Sequence, residues 1–243
     1  MQYDRFANVY DALMADVDYG LWAQYIASFL PQREASVAEC ACGTGEITLR
    51  LKRMGYSVTG IDISEEMLRV ASVKAREAGL KIPFVQQDMR SLALHKRVDA
   101  VVSACDGVNY LNSMDAVRRF FTSAYLALND GGLLLFDVSS QYKLSKTLGL
   151  SSLGYDDGEL AYVWKNCYDP KSRLIEMELS FFVKNGELYE RFTETHIQRA
   201  HTQSELLKAL NAAGFTKIEV YDAFTRDAPI KNTQRLQFVA HKS

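Results

Sequence analysis

Basic charge, long apolar runs, cysteine and proline are all in short supply in this 243-residue sequence, and each shortage removes a class of function. Lys and Arg number 28 against 30 Asp and Glu, a formal charge of −2. No basic stripe is available to neutralise a phosphate backbone, so nucleic acid is not an expected partner. No apolar run approaches the ~18 residues of a membrane span. The opening MQYDRFANVYDALMADVDY also lacks the basic start and apolar stretch of a signal peptide, which predicts a cytoplasmic protein. The four cysteines, Cys40, Cys42, Cys105 and Cys167, form neither a CxxC pair nor a disulfide framework. Free thiols are expected, and no metal centre, because Cys40 and Cys42 have no second pair of ligands nearby. No repeat, low-complexity tract or Pro/Gly-rich linker breaks the chain, which points to one domain over 1–243.

What is present is a regular alternation of short apolar runs with helical stretches, the pattern of a parallel sheet covered by helices. Strands are predicted at Ser36–Ala41, Tyr56–Ile63, Pro83–Gln87, Val98–Ala104 and Leu133–Val138. Ile47, Leu51 and Met54 share a helix face ended by Gly55, and Ser64 and Ser113 are placed to cap two further helices. From Leu160 to Arg199 the texture changes to antiparallel strands, with turns at Asp169-Pro170 and Asn185-Gly186. Met177, Leu179, Phe181 and Val183 alternate with polar neighbours, so one face of this small sheet is buried. Thr202 and Glu205 have capping-box spacing, and Gly214 ends the helix they open. Lys217–Ala223 and Arg235–His241 supply two last strands.

Open parallel sheets bind ligands beyond the carboxyl ends of their strands. At the first such end stands Gly43-Thr44-Gly45, where glycine permits a tight turn and close approach of a ligand to the backbone. At the second, Asp62 is placed to accept from both hydroxyls of a ribose. At the third, Asp88 can accept from an adenine amino group. A dinucleotide would normally want the fuller GxGxxG, whose third glycine is here Thr48. That difference alone leaves a nicotinamide-dependent oxidoreductase open.

The series ACGTGE, GIDIS, QQDM, VDAVVSACDGVNYL and GGLLLFDV resembles the class I S-adenosylmethionine-dependent methyltransferases over essentially the whole chain. The resemblance implies an α/β fold: a doubly wound, Rossmann-like sheet of seven strands, mostly parallel, whose last hairpin is reversed. Here that sheet would carry a β-rich antiparallel lid inserted at 141–201 and a helical cover at 1–35. It implies S-adenosylmethionine as cofactor, with Glu39, Gly43 and Gly45 around its methionine part. Asp62 would hold the ribose, Ile63 would pack on the adenine, and Asp88 with the Met89 amide would read its edge. The family pattern has aspartate where Glu39 stands, a like-charged difference. The opening YDRFANVYDALM resembles the small-molecule members, in which aromatics such as Tyr3 and Tyr10 fold over the cofactor. A ring face beside a sulfonium is favourable by ~0.5–2 kcal/mol. Tyr3, Phe6 and Tyr10 also form a plain apolar stripe.

The segment Asp106-Gly107-Val108-Asn109-Tyr110 lies where the methyl group should emerge. Cys105 is placed with the cofactor, and Asp106 and Tyr110 could accept a proton or orient a nucleophile. In FTETHIQRAHT, His196 could serve as a base and Arg199 could clamp a carboxylate or phosphate. Strand alternation puts those two on opposite faces unless a bulge intervenes. Tyr162, Trp164 and Tyr168 share one strand face, which either lines the pocket or packs in the core. The expected function is direct methyl transfer to a small molecule, with a non-catalytic S-adenosylmethionine-binding module as a second alternative.

Overall fold

The structure, a computed structural model, describes residues 6–30 and 34–243. Its first elements are two short helices, α1 (Phe6–Leu13) and α2 (Tyr19–Ala27), inside the expected N-terminal cover. Then β1 (Ser36–Cys40), α3 (Glu46–Arg53), β2 (Ser57–Asp62), α4 (Glu65–Glu77) and β3 (Phe84–Gln86) alternate as the patterning predicts. They are followed by β4 (Val98–Ser103), α5 (Met114–Ala127) and β5 (Leu128–Ser139). Side-chain caps start the helices where they should: Met67 N–H donates to Ser64 Oγ at 3.2 Å, and Ala116 N–H to Ser113 Oγ at 3.1 Å.

The chain then leaves the central sheet for β6 (Ser152–Asp156), β7 (Leu160–Asp169), β8 (Leu174–Asn185) and β9 (Leu188–Arg199). It returns through α6 (Gln203–Ala213), β10 (Lys217–Asp222) and β11 (Arg235–His241). Thr202 and Glu205 make both bonds of the capping box that opens α6, and Gly214 at φ +106° closes it.

The central sheet has seven strands in the order β10-β11-β5-β4-β1-β2-β3. Strand β11 is reversed relative to the other six, pairing antiparallel with both β10 and β5. One face is covered by α5 and α6 through Phe120, Phe121, Leu206 and Leu210, the other by α2 and α3 through Trp22, Ile26, Ile47 and Leu51. Strand order reverses between β1 and β4, which opens a crevice over their carboxyl ends.

The strands β6-β7-β8-β9 form a separate antiparallel sheet. Its buried face, Ile175, Met177, Leu179 and Phe181, packs on Phe6 and Ala7 of α1 and on Met67 of α4. Tyr162, Trp164 and Tyr168 pack against the same cluster, so of the two readings of that face the structure takes the core. Strand β6 is absent from the sequence reading because all five of its residues are exposed, leaving no alternation to detect. Strand β5 begins at Leu128, earlier than its apolar run; Asn129–Gly132 enter through an irregularity in the pairing with β4. Among the described residues no helix is long and apolar enough to cross a membrane.

Candidate active site

The turn after β1 bends through Ala41 at φ +55°, Gly43 at +54° and Gly45 at +79°. The two glycines do different work. A Cβ on Gly43 would meet only the Tyr10 ring, at 4.0 Å, so the backbone there is open to a ligand. A Cβ on Gly45 would meet Ala71 Cβ at 3.0 Å and Leu49 Cδ1 at 3.1 Å. Gly45 therefore lets α3 approach α4, and it does not line the cavity described below.

Asp62, at the end of β2, holds this turn in shape. Its Oδ2 accepts from Gly43 N–H at 2.8 Å and its Oδ1 from Ser64 N–H at 2.9 Å. Burial raises its carboxyl above the usual range and the backbone donors oppose that rise. Outside the turn, Thr44 Oγ1 donates to Asp11 Oδ1 of α1 at 2.7 Å, and Lys74 pairs with both Asp11 and Glu46.

Glu39 also stands apart from the cavity lining. It is 2% exposed and accepts from the Thr48 hydroxyl. Burial, with the Asp62 charge nearby, pushes its carboxyl up to about 8. The folded chain thus holds a proton there that the unfolded chain releases near 4.5, so this group makes stability fall as pH rises from about 4.5 towards 8. Glu39→Gln is expected to flatten that fall, read as denaturant midpoints at pH 5 and pH 8. Equal pH dependence in the two proteins would mean that Glu39 is ionised in the fold.

A cavity of about 660 Å³ lies over the strand ends. Asp62, Ile63 and Ser64 line it after β2, and Gln87, Asp88, Met89 and Arg90 after β3. Cys105, Gly107, Tyr110 and Leu111 line it after β4, Phe6 and Tyr10 from α1, and Thr195, His196 and Ile197 from β9. Ile63 is 60% exposed, an apolar side chain held open beside the cavity. The Asp88 carboxylate is already engaged by Arg90, whose Nε donates to it at 2.8 and 2.9 Å and whose guanidinium keeps it below the usual range. Tyr3 lies outside the described residues.

Two of the four expected catalytic residues meet. Tyr110 Oη is 3.4 Å from His196 Nδ1, their rings edge to face, and the Phe6 ring lies 4.9 Å from His196. Burial lowers the His196 pKa, so the imidazole is neutral at pH 7.

The other two turn away from the cavity. Asp106 accepts from Ser139 N–H at 3.0 Å and Ser139 Oγ at 2.8 Å and pairs with Arg235 at 2.5 Å. Arg235 also pairs with the fully buried Asp137 and lies 5.2 Å from the centre of the Trp22 ring. Arg199 meets His201 Nδ1 at 2.9 Å and Glu205 Oε1 at 3.2 Å. Strand β9 pairs with β8 without a bulge, so Arg199, three residues beyond His196, faces the other way.

The sequence reading also missed Ser64, Met67, Gln87, Asn112 and Ser113 in the cavity lining. Ser64 and Ser113 were visible as helix caps, and a cap at the mouth of an α/β sheet is by position close to a ligand. Cys40 and Cys42 are buried, and among the described residues no group of three or more His, Cys, Asp or Glu could hold a metal ion.

Residues 37–132 match the methyltransferase domain family. The whole chain is 40% identical to YqeM of Bacillus subtilis (strain 168), a protein named as an inferred methyltransferase, and covers 98% of it. In structure it is similar to an S-adenosylmethionine-dependent methyltransferase from Clostridium acetobutylicum ATCC 824, with a TM-score of 0.89, 33% identity and 99% of each chain covered. It also shares its fold with CalS10 of Micromonospora echinaspora, solved with the cofactor bound and described as an amino pentose methyltransferase, at a TM-score of 0.76, 21% identity and 97% of each chain. The chain belongs to the class I S-adenosylmethionine-dependent methyltransferases. The oxidoreductase and non-catalytic alternatives give way to that membership.

Proposed function

We propose that this enzyme moves the methyl group of S-adenosylmethionine to a small-molecule nucleophile held under the lid beside the Tyr110–His196 pair. The cavity fits the cofactor. Asp62 Oδ2 accepts from Gly43 N–H and Oδ1 from Ser64 N–H, and the carboxylate keeps acceptor capacity for the ribose. Ile63 offers an apolar surface for the adenine, and Asp88 with the Met89 amide borders the same space. Gly43 leaves the backbone open beneath Tyr10, and Cys105 closes the wall towards the acceptor. Bound there, S-adenosylmethionine supplies an electrophilic methyl on a positively charged sulfur.

The observation that carries the acceptor side is the Tyr110–His196 contact on the cavity wall. The exposed Tyr110 hydroxyl can orient an N–H or O–H nucleophile and pass its proton to the neutral imidazole behind it. The lid and α1 border the cavity through Thr195, His196, Phe6 and Tyr10, and holding the methyl group and the nucleophile in line there is what the protein contributes to the rate. A concave cavity of about 660 Å³ bordered by the lid suits a small acceptor, and CalS10, described as an amino pentose methyltransferase, has the same fold.

The test is a screen of small amines, phenols and amino sugars for production of S-adenosylhomocysteine. At least one is expected to turn over, and His196→Ala is expected to lower kcat by ~10²–10⁴-fold with cofactor affinity unchanged. Turnover on protein or nucleic acid alone would overturn the reading.

A further inference from the structure

We propose that Asn109 is a positioning residue, a buried amide that clamps the turn carrying Tyr110 to the ends of β5 and β9 and so sets the Tyr110–His196 contact. The proposal rests on reading that pair as the acceptor-side site.

Tyr110 is 44% exposed, so packing alone fixes its ring weakly. The residues before it do the fixing. Val108 and Asn109 are fully buried, within a 3₁₀ turn over Gly107–Tyr110. Asn109 Nδ2 donates to the carbonyl of Ser139 at 3.2 Å and to that of Arg199 at 3.0 Å, while Oδ1 accepts from Ser139 N–H at 2.9 Å. Ser139 ends β5 in the central sheet, and Arg199 ends β9 in the lid. A single amide nitrogen therefore bridges the two sheets immediately beside Tyr110.

His196 lies three residues back along β9, about 10 Å at strand rise. Strand β9 is paired with β8 along its whole length, so fixing the Arg199 carbonyl fixes how far His196 reaches over the cavity. That carbonyl is itself held, because the Arg199 guanidinium is anchored on His201 and on Glu205 of the α6 capping box. The site demands an asparagine: two diverging donors and one acceptor are used at once. Aspartate offers no donor to either carbonyl, and alanine offers nothing.

The test reads the contact directly and needs no methyl acceptor. The chain has four histidines, His95, His196, His201 and His241, which can be assigned by substitution and followed by nitrogen and ring-proton NMR on the full chain. Tyr110→Phe removes the hydroxyl facing His196 and should move its resonances. Asn109→Ala is expected to move them comparably, and Tyr110→Phe added to Asn109→Ala is expected to move them little further, because the contact is already lost. His95 and His241 should stay in place, and calorimetry with S-adenosylhomocysteine should show cofactor binding retained.

His196 resonances unchanged in Asn109→Ala, or independent and additive shifts in the double variant, would overturn the proposal. If the alanine variant does not fold, Asn109→Ser, which reaches one carbonyl but not both, is read against the same outcomes. Failure here leaves the proton-accepting role of the pair standing, and failure of that role in turnover leaves the clamp standing.

Discussion

Arg235→Met is expected to destabilise the fold by about 3–5 kcal/mol at pH 7, the cost of leaving buried charges without their partner. Arg235 neutralises two carboxylates: Asp106, which follows the end of β4, and the fully buried Asp137 of β5. Their titrations run in opposite directions. Burial opposes ionisation of Asp106, but Arg235, Lys143 and Ser139 outweigh it and hold the group below the usual range, so it contributes stability that is lost as pH falls through its folded value. Asp137, with burial and the Asp106 charge set against Arg235, is pushed up to about 6. It therefore makes stability fall as pH rises from about 4 towards 6. Without Arg235 burial remains and the attraction is gone, so both carboxyls rise. The deficit of the variant should be largest at pH 7 and shrink towards pH 5, where protonation removes the unpaired charges. Adding Asp137→Asn to Arg235→Met should recover part of the loss at pH 7. Denaturant unfolding at the two pH values measures both effects; a deficit that is the same at both, or below about 1 kcal/mol, would show that the cluster is solvated in the fold.

This cluster also marks where sequence reasoning stopped. Hydrophobic period, cap residues and turn glycines are local signals, and they located all seven strands of the central sheet, the helix starts at Ser64, Ser113 and Thr202, and the turn at Gly43. Strand ends could be found the same way, which brought Asp62, Ile63, Asp88, Met89, Cys105 and Tyr110 to one cavity. The direction in which a strand-end side chain points is not local. Asp106 and Tyr110 occupy one short turn, yet the first reaches Arg235, 129 residues away, and the second reaches His196, 86 residues away. Arg235 sits in a strand that reads as sheet closure, and nothing near it in sequence reveals two buried carboxylates. An aspartate inside the apolar run GGLLLFDV was the available clue, since a buried acid implies a partner somewhere in the chain. Arg199 was hard to place for the same reason: its residue type suits an anion, whereas its guanidinium meets His201 and Glu205 of the α6 capping box.

Asp62→Ala is expected to weaken S-adenosylmethionine binding by about 100-fold or more. Hydrogen bonds to a charged group are worth about 1.5–3 kcal/mol each, and a tenfold change in affinity is about 1.4 kcal/mol. Alanine removes the two oxygens proposed to accept from the ribose and also releases Gly43 N–H and Ser64 N–H, so the turn that shapes the cavity loses its template. Asp62→Asn should fall in between, because its single oxygen can serve one of the two backbone donors while its amide nitrogen faces the other. The comparison that isolates Asp62 is between S-adenosylmethionine and S-adenosylhomocysteine. Both carry the same ribose and differ in charge at sulfur, so loss of a ribose contact should weaken them by the same factor. Loss of a carboxylate acting on the sulfonium would instead weaken the methylated cofactor more. Calorimetry with the two ligands on Asp62→Ala separates these cases, and unchanged affinity for both would remove Asp62 from the site.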